Sequence, residues 1–148
     1  NDEIDLFARA AAMLANGKSL KEIGKHVKNL NEQIPLRATI EKDVISGSVI
    51  FIDSYGNAIS NITHDIFYRV FTDKKFRIYI QSNRYYTSRI SKRYNEEPMS
   101  ELVARFNILD LLEVSINGAN ISELLNISIG SVIRVELSHE EKILDNKL

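Results

Sequence analysis

The residues best suited to chemistry lie in one short stretch, Val49 to Ile62, which reads VIFIDSYGNAISNI. A predicted strand delivers a carboxylate at Asp53, an aromatic ring at Tyr55, a glycine that permits close backbone approach, and a carboxamide at Asn57. An aromatic face can stack on a planar heterocycle, and a carboxamide can pair with a donor and an acceptor on its edge. The stretch therefore suits a heterocycle site. The alternative is a hairpin turn in which Asp53 and Asn57 bond their own backbone.

A second feature is the basic aromatic stretch from Asn83 to Tyr94, which interleaves four cations with three tyrosines. A strand of this composition can stack bases on its rings while its cations meet phosphates, so one interpretation is an oligonucleotide-binding barrel. The other is a twisted edge strand that its charges protect from aggregation. Nineteen Lys and Arg against twenty Asp and Glu leave a net charge of −1, so nucleic acid is not the expected partner.

No other motif supplies catalytic machinery. The three histidines, His26, His64 and His139, have no metal-ligand spacing to one another. The absence of cysteine excludes disulfide scaffolds, thiolate metal sites and cysteine nucleophiles. The sequence has no Gly-x-Ser-x-Gly elbow, no Walker loop and no GxGxxG fingerprint. We therefore expect this chain alone to be non-catalytic, with neither a metal nor a resident cofactor.

The elements that position these residues change character along the chain. Helix formers fill Asp5 to Asn16, and the capping box Ser19 to Glu22 opens a second short helix. Beyond Pro35, about seven short β-branched and aromatic runs alternate with turns, and the run Tyr85 to Ile90 is the predicted hairpin partner of Phe76 to Ile80. Short helices interrupt these runs, one with Thr63 as its predicted N-cap and one from Ile121. The sequence predicts a mainly β chain with N-terminal helices: a helical segment over residues 1–34 and a small antiparallel β-barrel or sandwich over residues 35–148.

Size and hydropathy set the expected class and compartment. The chain has 148 residues, of which 44% are hydrophobic, as in one ordinary globular domain. No run approaches the roughly 18 apolar residues of a membrane helix, and the acidic start is unlike a secretory signal. We expect a soluble, cytoplasmic protein without a membrane partner. Because the chain opens without methionine and almost directly into a helical pattern, we also expect it to be part of something longer.

The chain resembles one known family at three places, in the correct order. The stretch from Asp53 to Ile62 is similar to the motif Asp-x-Phe-Gly-Asn-Leu-Ile-Thr-Asn-Ile of the S-adenosyl-L-methionine (SAM) hydroxide adenosyltransferases, relatives of the SAM-dependent chlorinases and fluorinases. Leu111 to Asn120 resembles that family's Leu-Leu-Glu-Ile-Ala-Ile-Asn-x-Gly-Asn-Ala run, and Asp5 to Gly24 resembles the helical segment that joins its two domains. Where the family has Asn-Ser-x-Gly, the chain reads Asn107-Ile108-Leu109-Asp110.

The resemblance implies the C-terminal half of a SAM-hydrolysing enzyme. In the family, an N-terminal α/β domain activates water, and the active site lies between that domain and the barrel of a neighbouring subunit in a homotrimer. This chain would then supply the adenosine-binding wall, and the intact protein would convert SAM and water to adenosine and L-methionine. Asp53 and Asn57 would hydrogen-bond the nucleoside, and Tyr55 would occupy the position where the family has a stacking Phe. Asn120 and Ile121 would contact the base. SAM would be the substrate of this reaction and not a cofactor. An inactive nucleotide-binding homologue is the alternative.

Overall fold

The computed structural model describes residues 37–92, 99 and 101–138. Over these residues the chain forms eight strands and two short helices, so the predicted mainly β class is confirmed. In chain order the elements are β1 (Thr39–Glu41), β2 (Val44–Ile52), β3 (Ala58–Thr63), α1 (His64–Phe71), β4 (Phe76–Ile80), β5 (Tyr86–Thr87), β6 (Leu102–Phe106), β7 (Leu111–Ile116), α2 (Ile121–Leu124) and β8 (Val132–Leu137).

The strands form one antiparallel sheet that nearly closes into a barrel. Its order is β5-β4-β8-β2-β3-β7-β6, and β1 pairs with β2 beside this path. After β5, the backbone N–H of Ser91 donates to the carbonyl of Ala104 in β6 at 2.7 Å, which joins the two ends of the sheet. The expected small antiparallel barrel or sandwich is therefore confirmed, in barrel-like form.

Strand β2 is shared between two parts of this sheet, since its first half pairs with β8 and its second half pairs with β3. Gly47 lies at the crossing, where a Cβ would come within 2.5 Å of Ile62 Cγ1. The backbone N–H of Ser48 donates to Asn61 Oδ1 at 2.9 Å, which satisfies an amide at the crossing. The register shifts after Val49, as at a β-bulge, and bulges bend strands.

Apolar side chains fill the barrel, and helix α1 covers part of this core. Thr63 Oγ1 accepts a hydrogen bond from Ile66 N at 3.2 Å, so the predicted N-cap is confirmed. On the buried face of α1, the Phe67 ring meets Phe76 and Phe106 edge-on, with ring centroids 4.9 and 5.5 Å apart. Edge-to-face aromatic packing of this kind adds about 0.5–1.5 kcal/mol to the gain from burial.

The expected hairpin partner of β4, from Tyr85 to Ile90, is shorter than predicted, because β5 covers only Tyr86–Thr87 before the chain turns to β6. The helices predicted within residues 1–34 lie outside the described residues. Neither helix in the described ranges has the length and apolar character that a membrane crossing requires.

Candidate functional site

The predicted motif forms a tight turn between β2 and β3, named here the 53–57 turn. Asp53 Oδ1 accepts hydrogen bonds from the backbone N–H groups of Tyr55 and Asn57, both at 2.9 Å. The Gly56 N–H donates to the carbonyl of Asp53 at 3.0 Å, and Gly56 has a φ of +81°, in the left-handed region that glycine tolerates best. The Asp53 carboxylate therefore holds the turn, as the hairpin alternative required of it.

The Asn57 side chain does not bond its own backbone. Its Nδ2 donates to Asp53 Oδ2 at 3.2 Å, and because an ionised carboxylate only accepts, this bond fixes which end of the carboxamide is nitrogen. Asn57 Oδ1 has no partner in the described part of the chain. Asn57 is only 8% exposed and borders a pocket, so it offers that pocket an oriented acceptor.

Tyr55 borders the same pocket from the tip of the turn. Its side chain is 70% exposed, which is unusual for a large aromatic residue and leaves a ring surface open for stacking. Three predicted site residues, Asp53, Tyr55 and Asn57, thus meet at one pocket.

Asn120 and Ile121 lie at the start of α2, behind the 53–57 turn. Asn120 Oδ1 accepts from Glu123 N at 3.1 Å and from Ser122 Oγ at 2.6 Å, so Asn120 is the N-cap of α2. Gly56 packs directly on this cap, since a Cβ there would lie 1.9 Å from Asn120 Oδ1. Neither residue borders the pocket, and Ile121 is fully buried in the core. Their contact with a base stays a prediction.

The pocket has a volume of about 650 Å³. Pockets that hold small ligands typically measure about 300–1,000 Å³, so a nucleoside-sized molecule fits this range. Its wall is built by the 53–57 turn together with residues of β6, of β7 and of the segment that follows β7. Besides the three predicted residues, the lining residues are Arg105, Glu113, Ser115, Ile116, Asn117, Gly118 and Ala119.

Sequence reasoning assigned no role to the polar part of this wall. Arg105 and Glu113 lie opposite each other across β6 and β7, and Arg105 Nε donates to Glu113 Oε2 at 3.1 Å. Glu113 and Ser115 occupy alternate positions of β7, whose other positions supply core residues. Polar residues at alternate positions of a strand were the available signal, but their partners depend on strand pairing.

The charges at the pocket do not favour an anion. Among the ten lining residues, the ionisable groups are two carboxylates, Asp53 and Glu113, and one guanidinium, Arg105, which gives a net charge of −1. Arg105 is already held by Glu113. The wall therefore suits a neutral or cationic ligand better than a phosphorylated one.

The basic aromatic stretch lies on another part of the sheet. Tyr86 of β5 is opposite Tyr79 of β4, which is opposite Arg134 of β8. The guanidinium of Arg134 lies 4.8 Å from the centroid of the Tyr79 ring, and that of Arg77 lies 4.4 Å from the centroid of the Tyr86 ring. Within the stretch, the Arg77 contact occupies one face of the Tyr86 ring, and that face is not available to a base.

Of the three histidines, only His64 is among the described residues. Its ring packs against Tyr68 and Phe106, with centroids 4.5 and 5.0 Å away. Within residues 37–92, 99 and 101–138, no group of three or more His, Asp or Glu side chains is arranged to hold a metal ion.

Comparison with known proteins decides the family. The model of the SAM hydroxide adenosyltransferase C-terminal domain matches residues 47–134, which run from within β2 to within β8 and include every residue that lines the pocket. The chain belongs to this family. No curated protein matches the chain significantly.

One solved structure shows the same fold, and a second is also similar. The chain is similar to an uncharacterised conserved protein from Thermotoga maritima, with 20% identity and a TM-score of 0.56 over 77% of this chain and 50% of that chain. It is also similar to a conserved hypothetical protein from Thermus thermophilus, with 22% identity and a TM-score of 0.43 over 63% of this chain and 32% of that chain. The chain thus spans half the length of the Thermotoga maritima protein and about a third of the length of the Thermus thermophilus protein.

One departure from the motif that the chain resembles lies at a residue with a left-handed backbone conformation. Asp110 stands where the motif has glycine, and its φ is +58°, a conformation that Asp adopts more readily than most residues. The Asp110 carbonyl accepts from His64 N at 2.8 Å, which ties this turn to the start of α1. Ile108, which replaces the motif's serine, is 77% exposed and does not border the pocket.

Proposed function

We propose that this chain is the adenosine-binding part of an enzyme that hydrolyses SAM to adenosine and L-methionine. In that reaction a water oxygen bonds to the ribose 5′ carbon and the carbon–sulfur bond breaks. The electron pair of that bond stays on the sulfur of methionine, and the water loses a proton to a base. SAM is the substrate, and the proposal includes no resident cofactor.

The pocket carries the proposal, because Asp53, Tyr55 and Asn57 border one cavity of about 650 Å³ in a chain of this family. Tyr55 would stack on the base, and the oriented Oδ1 of Asn57 would accept a hydrogen bond from the exocyclic amine of adenine. The net charge of −1 at the wall favours a sulfonium cation over an anionic nucleotide. Asp53 would act through Asn57, whose carboxamide it orients.

The rest of the active site would come from outside this chain. Displacement at the ribose 5′ carbon needs a dehydrated cleft that orients water against the leaving sulfur. By the family resemblance, the N-terminal domain of a neighbouring subunit in a homotrimer would close the pocket and activate the water. We place the reaction in the cytoplasm. The 148-residue chain by itself should therefore not turn over SAM.

Chromatographic detection of adenosine and methionine after incubation with SAM tests this proposal. The full-length native protein should release both products in equal amounts, and the 148-residue chain should release neither. Binding of SAM or adenosine without turnover by the full-length protein would indicate the inactive nucleotide-binding homologue. RNA affinity that falls steeply with salt, without nucleoside binding, would indicate an oligonucleotide-binding barrel and overturn the proposal.

A further inference from the structure

A buried hydroxyl at the pocket wall lacks a hydrogen-bond partner. Ser115 of β7 is 2% exposed, and its Oγ is buried with no partner in the described part of the chain. Buried polar groups are rarely left unpaired, because an unsatisfied hydroxyl costs about 1–3 kcal/mol. The neighbouring strand β3 shows the usual arrangement, in which the buried Ser60 Oγ donates to the carbonyl of Leu112 at 2.7 Å.

The strand register places this hydroxyl beside the oriented acceptor of the 53–57 turn. Ala58, the first residue of β3, pairs with Val114, and continuing this register by one residue beyond the strand would set Asn57 opposite Ser115. Side chains directly opposite in an antiparallel pair have Cβ atoms about 4.5–5.5 Å apart. Asn57 and Ser115 both border the pocket, so a hydroxyl without a partner and an oxygen without a partner share one patch of its wall.

We infer that Ser115 is a specificity-determining residue of this pocket: its Oγ donates to a ring nitrogen of the base while Asn57 Oδ1 accepts from the exocyclic amine. This inference rests on the proposed function. Along the edge of adenine, an amine that donates lies beside a ring nitrogen that accepts. A carboxamide oxygen beside a hydroxyl, as at Asn57 and Ser115, complements this pattern. Because Ser115 Oγ is buried in the pocket wall, contact with a ligand requires rotation about χ1, the torsion that places a serine hydroxyl.

The neighbouring groups favour this assignment over an anion-binding role. Glu113, two residues before Ser115 on the same face of β7, is a buried carboxylate. Its guanidinium partner, Arg105, is engaged at 3.1 Å. A negatively charged ligand at Ser115 would therefore meet a like charge in a poorly solvated wall, whereas a neutral base edge would not. Alanine stands at this position in the motif that the chain resembles, so the fold does not require the hydroxyl.

The test measures affinity and stability of the full-length native protein and two variants, Ser115→Ala and the matched control Ser60→Ala. The ligands are adenosine and two deaza analogues, one lacking N1 and one lacking N7. We expect Ser115→Ala to bind adenosine about three- to tenfold more weakly, the loss of one neutral hydrogen bond, with unchanged or higher stability. Ser60→Ala should unfold at lower denaturant and bind adenosine as the native protein does.

The analogues identify the partner atom. The native protein should bind one of the two analogues about three- to tenfold more weakly than adenosine. The Ser115→Ala variant should bind that analogue and adenosine with equal affinity. If native protein binds adenosine and Ser115→Ala binds it equally tightly, the inference is overturned while the proposed function stands. Destabilisation of Ser115→Ala to the extent of Ser60→Ala would also overturn it, as a structural role. Native protein that binds neither adenosine nor SAM would instead remove the proposed function itself.

Discussion

Arg105 and Glu113 lie directly opposite each other on β6 and β7, with Arg105 Nε 3.1 Å from Glu113 Oε2. Only 2% of the Glu113 side chain is exposed, so its carboxylate depends on protein groups in place of water. We predict that Arg105→Met lowers the free energy of unfolding by about 3 kcal/mol, because a buried charge loses its ion-pair partner. Urea unfolding monitored by circular dichroism measures this change.

Two further variants show whether the effect comes from the buried charge. Arg105→Met combined with Glu113→Gln should recover most of the lost stability, since the buried carboxylate charge that lost its guanidinium is removed as well. Arg69→Met breaks the Arg69–Asp65 pair on α1, whose side chains are 66% and 82% exposed, and should cost at most about 0.5 kcal/mol. Equal costs for Arg105→Met and Arg69→Met would contradict the prediction.

The contact between the 53–57 turn and α2 predicts a strong effect of Gly56→Ala. The added Cβ would lie 1.9 Å from Asn120 Oδ1, at a backbone φ of +81°. Asn120 would have to leave its N-cap position, which costs about 1 kcal/mol, and the left-handed conformation adds about 1–2 kcal/mol. We expect a total loss of about 2–3 kcal/mol by urea unfolding.

Gly118→Ala is the matched control for this substitution. Gly118 has nearly the same φ, +79°, but its added Cβ would meet the end of the Met99 side chain, which is 69% exposed and can move. Gly118→Ala should therefore carry only the backbone part of the cost, about 1–2 kcal/mol. If both variants are equally stable, the Asn120 contact contributes nothing to the site's architecture.

The turn itself could be predicted from local sequence, because an Asp, a glycine and an Asn in close succession bond one another within five residues. The same holds for the N-cap at Thr63, whose partner Ile66 is three residues away. In both cases the hydrogen-bond partners are fixed by chain geometry over one turn, so residue types alone indicate the structure.

The polar wall of the pocket could not be predicted in this way. Arg105 meets Glu113 only through the β6–β7 register, and Ser115 shares the pocket wall with Asn57 only because β3 pairs with β7. A shift of one residue in either register would turn these side chains to the opposite face of the sheet. Similarly, the need for glycine at Gly47 arises from Ile62, on another strand. Such contacts follow from strand pairing, which local patterns do not specify.

Asn57→Ala separates binding from turn stability. If Oδ1 accepts from the base, the variant should lose about 1–3 kcal/mol of adenosine affinity. It should also lose about 1 kcal/mol of stability, because the bond from Nδ2 to Asp53 is removed. Titration of the full-length native protein with adenosine, beside thermal melts, measures both. A lower melting temperature with unchanged affinity would assign Asn57 to the turn alone.

The charge of the wall predicts discrimination against phosphorylated nucleosides. Asp53 and Glu113 outnumber Arg105 among the lining residues, so adding a 5′-phosphate to the ligand brings like charges together. At separations of about 7 Å and an intermediate dielectric, this repulsion amounts to about 1–2 kcal/mol, a roughly five- to thirtyfold difference in affinity. Adenosine 5′-monophosphate should bind the full-length native protein more weakly than adenosine by that factor in low salt.

The difference in affinity between the two ligands should shrink as ionic strength rises, because the partly exposed charges are screened, whereas a purely steric exclusion of the phosphate would not respond to salt. Asp53→Asn should narrow the gap as well, since it removes one of the two carboxylates while keeping a side-chain oxygen that can accept from the turn. Calorimetric titrations of both ligands at two salt concentrations give all these values, and equal or tighter binding of the monophosphate would show that the pocket is built for nucleotides instead.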